Sequence, residues 1–281
     1  MNIVAVVSAK GGVGKTTLAA NLACVLATGG RNVIALDFAP QNALRLHFGI
    51  PLESINGIAR ATLSGQPWLS AMASGVGEVV VLPFGSVTEA DRRRLEARLE
   101  QAPDLLRTAL DAFALDTSDI VIIDTPPGPS TYVRSALTAA SFVLNVVTAD
   151  AASYAAIPQL QYLVDTYAAP RTDGVAEGCV VNQVDQTRQL SKDVLDVMRQ
   201  VLDERLFPGA IHLDQCVGEA LACNTTVIEY APLSQACADL KACANWLLAS
   251  IDAADESIDA APGPSDDAAL HSRSGDSGRA R

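Results

Sequence analysis

Short, nearly continuous apolar runs recur along the chain, each followed by a longer stretch with helical spacing. Residues 3–8, 33–37, 79–83, 120–124, 142–148 and 179–184 are rich in Val, Ile and Leu and do not alternate with polar residues. This predicts strands buried on both faces. Between them, residues 15–27, 89–113 with a break at Pro103, 154–167, 191–206 and 233–250 carry apolar positions at helical intervals. Alternating strands and helices predict an α/β fold, a mostly parallel twisted sheet with helices on both faces. After Ile251 the periodicity stops and Asp, Ala, Ser, Gly and Pro dominate. The expectation is one domain over 1–250 followed by a disordered acidic tail over 251–281.

Composition narrows the setting. With 281 residues, 49% hydrophobic and 19% charged, the chain can bury a sizeable core. No apolar run approaches the ~18–20 residues of a membrane span, and Met1-Asn2-Ile3-Val4 lacks the basic flank of a secretory signal. A cytoplasmic protein without direct membrane insertion is expected. The formal charge is −12; the tail, with seven acids and three arginines, holds −4 of it and leaves −8 on the domain. That balance disfavours nucleic acid as a partner. The one tight basic run, Arg92-Arg93-Arg94, is interleaved with Asp91, Glu96 and Glu100 and reads as a solvated helix face. Six cysteines form no Cys-x-x-Cys pair, so isolated buried thiols are expected.

The first strand runs into Ala9-Lys10-Gly11-Gly12-Val13-Gly14-Lys15-Thr16-Thr17 and then into a helix. A nucleoside triphosphate needs several backbone N–H groups converging on its phosphates, a close backbone approach and a positive helix end. Gly11, Gly12, Val13 and Gly14 can supply these. Lys15 adds a cation for the β and γ phosphates, Thr16 a hydroxyl ligand for Mg²⁺, and Thr17 a contact for the α phosphate. Asp124 ends the strand at 120–124 and precedes Thr125-Pro126-Pro127-Gly128. A carboxylate there can hold the metal through water, and the turn can sense the γ phosphate. These residues imply a nucleoside triphosphate with Mg²⁺.

The loop has Ala9 in place of the usual first glycine and carries a second lysine, Lys10. In this it resembles the deviant Walker A motif of the MinD/ParA ATPases. The resemblance implies that Lys10 reaches across a homodimer to the partner's nucleotide, and that Asn182, closing Cys179-Val180-Val181, reads adenine. Partition ATPases of this superfamily show Asp-x-Asp-Pro-Gln after the second strand; here the segment is Asp37-Phe38-Ala39-Pro40-Gln41. The missing carboxylate would orient the attacking water, which a methyl group cannot do. With Asp37 left to act through Lys10, ATP binding with slow hydrolysis is expected.

Further pieces are similar to the BcsQ family, MinD-like proteins of bacterial cellulose-synthesis operons. They are Asp37 through Phe48 (Asp-Phe-Ala-Pro-Gln-Asn-Ala-Leu-Arg-Leu-His-Phe), Gly65-Gln66-Pro67-Trp68, Leu82-Pro83-Phe84-Gly85, Ile211-His212-Leu213-Asp214 and Asn245-Trp246-Leu247. That resemblance implies an ATP-bound dimer serving as scaffold or spatial regulator of the cellulose synthase and secretion complex. Its partners would be other cytosolic proteins of the operon, which recruit it to the inner face of the membrane or to a pole. Two rivals stay open: a partition or positioning ATPase, which needs a basic face, and a metabolic ATP-using enzyme, which needs a substrate constellation. His47, His212 and His271 are scattered and offer none. His47, Trp68 and Phe84 read as packing or partner-surface residues.

Overall fold

The computed structural model describes residues 1–168 and 175–259. Its strands are β1 (Asn2–Val7), β2 (Val33–Asp37), β3 (Ala73–Ser74), β4 (Val80–Leu82), β5 (Ile120–Asp124), β6 (Phe142–Thr148) and β7 (Ala176–Asn182). They form one sheet in the order β3-β4-β2-β5-β1-β6-β7. All neighbouring pairs are parallel except β3 with β4. The helices are α1 (Lys15–Thr28), α2 (Ile58–Ser64), α3 (Glu89–Gln101), α4 (Leu105–Asp111), α5 (Thr131–Ala139), α6 (Ala151–Tyr167), α7 (Gln189–Leu202), α8 (Gln215–Ala222), α9 (Val227–Tyr230) and α10 (Gln235–Asp259).

The apolar runs explain the layering. Ile3, Ala5 and Val7 of β1 face a core shared with α2 to α7, whereas Val4 and Val6 face one shared with α1, α8, α9 and α10. Strands covered on both sides need no polar alternation, since each face buries apolar area worth roughly 25 cal/mol per Å². Ala19, Ala20, Ala23 and Ala27 keep α1 thin enough to lie close on the sheet. Trp68 and Phe84 are core residues: Trp68 donates its indole N–H to Thr62 Oγ1 at 2.8 Å, and Phe84 packs edge-on against Tyr132.

Several expectations change. The helix expected to end at 250 continues to Asp259, and Ile251 is buried on the core; Ala, Asp and Glu after it propagate a helix already nucleated by packing. Residues 260–281, most of the segment read as a disordered tail, lie outside the described residues. The helix expected over 191–206 stops at Leu202, because Leu206 is drawn into a bridge with Cys179. Helices α2, α5, α8 and α9 and the two-residue β3 were not legible in the pattern. Cys24, Cys179, Cys237 and Cys243 are buried, but Cys216 is partly buried and Cys223 exposed. Cys223 departs from the expected burial because it caps the C-terminus of α8, which ends at Ala222. Among the described residues no helix is long and apolar enough to cross a membrane.

Candidate functional site

Strand β1 lies between β5 and β6, so the chain leaves it at the point where the strand order reverses. Open parallel sheets bind ligands at this point, outside the carboxyl ends of the strands. Five segments converge there: the glycine loop after β1, Asp37 at the end of β2, Asp124 at the end of β5, Asp150 after β6 and Asn182 at the end of β7.

The loop's curvature rests on Gly12 and Gly14, with φ of +79° and +84°. Gly14 is doubly constrained, since a Cβ there would lie 2.4 Å from Asn182 Nδ2. The Asn182 amide donates to Val13 O at 2.8 Å and Gln183 Nε2 to Gly12 O at 3.3 Å, so β7 braces the loop from the side. Across from them, Gly128 N donates to Ser8 O at 2.8 Å and Thr125 Oγ1 to Val6 O at 2.7 Å, tying the turn after β5 to the loop's entry. Lys15 points inward and donates to Ser8 Oγ at 2.8 Å, and that hydroxyl donates to Lys10 O at 2.8 Å. Burial lowers the Lys15 pKa, and the neighbouring Asp124 opposes the shift.

Thr16 donates its hydroxyl to Asp124 Oδ2 at 2.7 Å, while Asp124 Oδ1 is buried and has no hydrogen-bond partner. Asp37 is paired in register with Asp124, and its oxygens accept from Ala39 N at 3.1 Å and Leu44 N at 3.0 Å. Burial pushes Asp124 up to about 6, and burial with Asp124 alongside pushes Asp37 well above the ordinary carboxylate range. Two buried carboxyls beside one buried ammonium form a site short of positive charge. An unpaired carboxylate oxygen next to a hydroxyl is a hard-oxygen donor set that fits Mg²⁺. Thr16 and Asp124 are the residues that can hold it, Asp124 through water.

The raised Asp124 pKa has a measurable consequence. A carboxyl that binds its proton more tightly in the folded state contributes stability that is full below its unfolded pKa near 4 and lost as pH rises through about 6. Between about pH 4.5 and 7 the nucleotide-free protein should therefore lose on the order of 2 kcal/mol from this group. Urea midpoints of wild type and Asp124→Asn across that range should diverge with pH; a constant difference would refute the assignment. The buried His47, lowered to about 4, acts in the opposite sense, which makes the variant comparison the informative quantity.

In the single chain the Lys10 ammonium pairs with Asp150 at the open rim, at 2.7 and 2.9 Å, while the oxygens of Asp37 accept two backbone amides. Burial raises the Asp150 pKa, but the Lys10 and Thr148 hydrogen bonds outweigh it and hold the carboxyl below its usual range. Ser8, Asp150 and Gln183 were missed in the sequence. Their signal was positional, since each lies at or just past the carboxyl end of a parallel strand.

Beside the loop a cavity of about 330 Å³ is lined by Gly14, Thr17, Asn182, His212, Asp214 and Leu240, among others. It is the size of a small-ligand site and places Thr17 and Asn182 on its walls. His212 is held there by Asp239, whose carboxylate lies 2.7 Å from Nδ1.

A family profile described as "Cellulose biosynthesis protein BcsQ" matches residues 1–248. The chain belongs to the BcsQ family. It is 28% identical over 248 residues to the cellulose biosynthesis protein BcsQ of Salmonella typhimurium, covering 88% of this chain and 94% of that protein. It is also 30% identical over 234 residues to the chromosome-partitioning ATPase Soj of Thermus thermophilus, covering 82% of this chain and 89% of the relative. Among solved structures, the cell division ATPase MinD of Pyrococcus furiosus superposes with a TM-score of 0.72 at 23% identity, covering 88% of this chain and 98% of MinD. Cobyrinic acid a,c-diamide synthase of Mycobacterium smegmatis, holding an ATP analogue and magnesium, gives 0.73 at 22%, covering 88% and 94%. This BcsQ-family chain thus has the α/β fold of the MinD/ParA-type P-loop ATPases.

Proposed function

We propose that this chain binds ATP with Mg²⁺, dimerises around it, and acts in cellulose biosynthesis as a scaffold or spatial regulator of the synthase and secretion complex. The observation that carries the nucleotide reading is the Thr16–Asp124 pair, with one buried carboxylate oxygen unpartnered, next to an inward-facing Lys15 at a glycine loop. Bound Mg²⁺ would neutralise phosphate charge. The chain's own residues then bind and orient. Loop amides and Lys15 hold phosphate oxygens, Thr16 and Asp124 hold the cation, and Asn182 and the cavity beside it hold the base.

Lys10 supports the dimer reading. In a single chain it is parked on Asp150 at the rim, with both side chains more than a third exposed. An exposed pair of this kind is worth only about 0–1 kcal/mol, so a partner's phosphates can capture the ammonium. The adenine assignment of Asn182 is supported by its place on the cavity wall, with one amide N–H given to Val13. The basic run Arg92-Arg93-Arg94 is paired within α3 to Glu89, Glu96 and Asp91, which speaks against a DNA-coating face. The complex of MinD with MinC from Aquifex aeolicus is a precedent, within this fold, for a partner docking on such an ATPase.

Size-exclusion chromatography with light scattering, with ATP and Mg²⁺ or with ADP, and phosphate release followed in the same sample, tests the proposal. A mass of twice 29.3 kDa with ATP alone, and little phosphate released, is the expected result. A monomer under both conditions would overturn it. Salt-sensitive binding to nonspecific DNA in the ATP state would favour the partition reading.

Slow hydrolysis follows from Ala39. Its side chain is buried on a loop closed around Asp37, where it offers no acceptor for water. Ala39→Asp should raise phosphate release at least ~10-fold. It should also lower the melting temperature of the nucleotide-free protein, because a third carboxyl is added near two buried ones. An Ala39→Asp variant no faster than the parent would show that another step limits turnover.

A further inference from the structure

The function proposed above makes no use of His47, yet this ring is among the most deeply buried polar groups in the molecule, 2% exposed. It lies in the 3₁₀ turn Leu44–Phe48, on the segment that leaves β2 and packs over α1. Its Nε2 stands 3.4 Å from Thr17 Oγ1. The Thr17 backbone is held separately, since its carbonyl accepts from Asn21 Nδ2 at 2.8 Å, and Asn21 Oδ1 in turn accepts from Val227 N at 2.8 Å. Thr17 therefore has a fixed backbone, and among the described residues His47 is the side chain that stands against its hydroxyl.

That rotor matters because a hydroxyl carries one hydrogen. If the ring nitrogen accepted it, Thr17 would face a phosphate with lone pairs only. If the ring donates Nε2–H to Thr17 Oγ1, the hydroxyl's hydrogen is left to point into the loop. An anionic oxygen in the loop requires the second arrangement. A ring this buried is neutral at pH 7, its pKa lowered to about 4, and so has a single N–H to place.

We propose that His47 is a positioning residue for nucleotide binding, donating Nε2–H to Thr17 Oγ1 and so aiming the Thr17 hydroxyl at the phosphate nearest the nucleoside. The inference rests on the reading of the glycine loop as a nucleoside triphosphate site. It assigns to the segment after β2 a task in ground-state binding that is separate from the hydrolytic position occupied by Ala39.

The test is a double-mutant cycle on the full chain, with the dissociation constant of ATP measured calorimetrically in Mg²⁺. Thr17→Val keeps the β-branched shape and should weaken ATP about tenfold. His47→Phe keeps the ring's bulk and should weaken it about fivefold with Thr17 present, but less than twofold in the Thr17→Val background. His47→Gln, whose amide can reach the Nε2 position, should recover to within about twofold of wild type, and it carries the test if the Phe variant melts early. Equal factors for His47→Phe in both backgrounds would make His47 a packing residue and overturn the inference while leaving the nucleotide site intact. No effect of Thr17→Val would remove the phosphate contact itself, and wild type that fails to bind ATP would remove the reading beneath it.

Discussion

Lys15→Met should lower ATP affinity at least ~100-fold, about 2.8 kcal/mol. The Lys15 ammonium faces inward, 2.8 Å from Ser8 Oγ and close to Asp124, so it is already desolvated before a ligand arrives. A buried charge of this kind gains more from a phosphate than a solvated one does, and hydrogen bonds to charged groups are worth ~1.5–3 kcal/mol each. Methionine keeps the unbranched apolar stem that packs beneath the loop and removes the charge alone. Titration calorimetry with ATP and Mg²⁺ measures the loss, and the melting temperature of the nucleotide-free variant reports whether the loop still folds. Affinity within about threefold of wild type would end the assignment of this loop as a triphosphate cradle.

Lys10→Ala should weaken the ATP-dependent dimer by at least ~100-fold. A twofold-symmetric interface uses the lysine twice, so each contact of ~1.5–3 kcal/mol is lost in duplicate. Nucleotide affinity of the single chain should change little, because Lys10 rests on Asp150 and not in the loop. Asp150→Asn provides the opposite arm. Asparagine preserves the cap on α6, where the Asp150 side chain accepts from Ser153 N at 2.9 Å, but it releases the ammonium. The dimer should tighten, by no more than about fivefold given the exposure of the pair. Analytical ultracentrifugation at several concentrations with ATP separates the two effects. A Lys10→Ala protein that dimerises normally would refute the intersubunit role, and an Asp150→Asn protein that dimerises less would show that the aspartate serves the dimer directly.

The residues behind these effects differ in how plainly the amino-acid sequence marks them. The glycine loop, Lys15, Thr16 and Asp124 stood out as candidates in the sequence because their placement is local. A strand, a glycine turn and a helix N-terminus are contiguous in the chain, and a carboxylate at the end of an apolar run is placed by the period of the strand. The same holds for β1, β2, β4 to β6 and α1, whose apolar runs are buried, whereas β7 starts at Ala176, ahead of the run expected over 179–184, and ends at Asn182. The short helices α2, α5, α8 and α9 escaped because seven to nine residues, or four, give too few turns for a period to emerge, and their helicity comes from packing. The extension of α10 escaped because its composition is also that of a solvated tail.

Residue order and pattern alone were enough for the fold class and the family, and they singled out the residues proposed to meet phosphate and metal. Tertiary structure alone decided their states. Asp37 accepts two backbone amides, Lys10 is parked on Asp150, Asn182 braces Val13, and His47 stands against Thr17. The reason is physical. Residue type and spacing follow from local geometry, whereas the partner of a charged or polar side chain depends on which distant strand ends a parallel sheet brings to one edge, and on how much water that edge excludes.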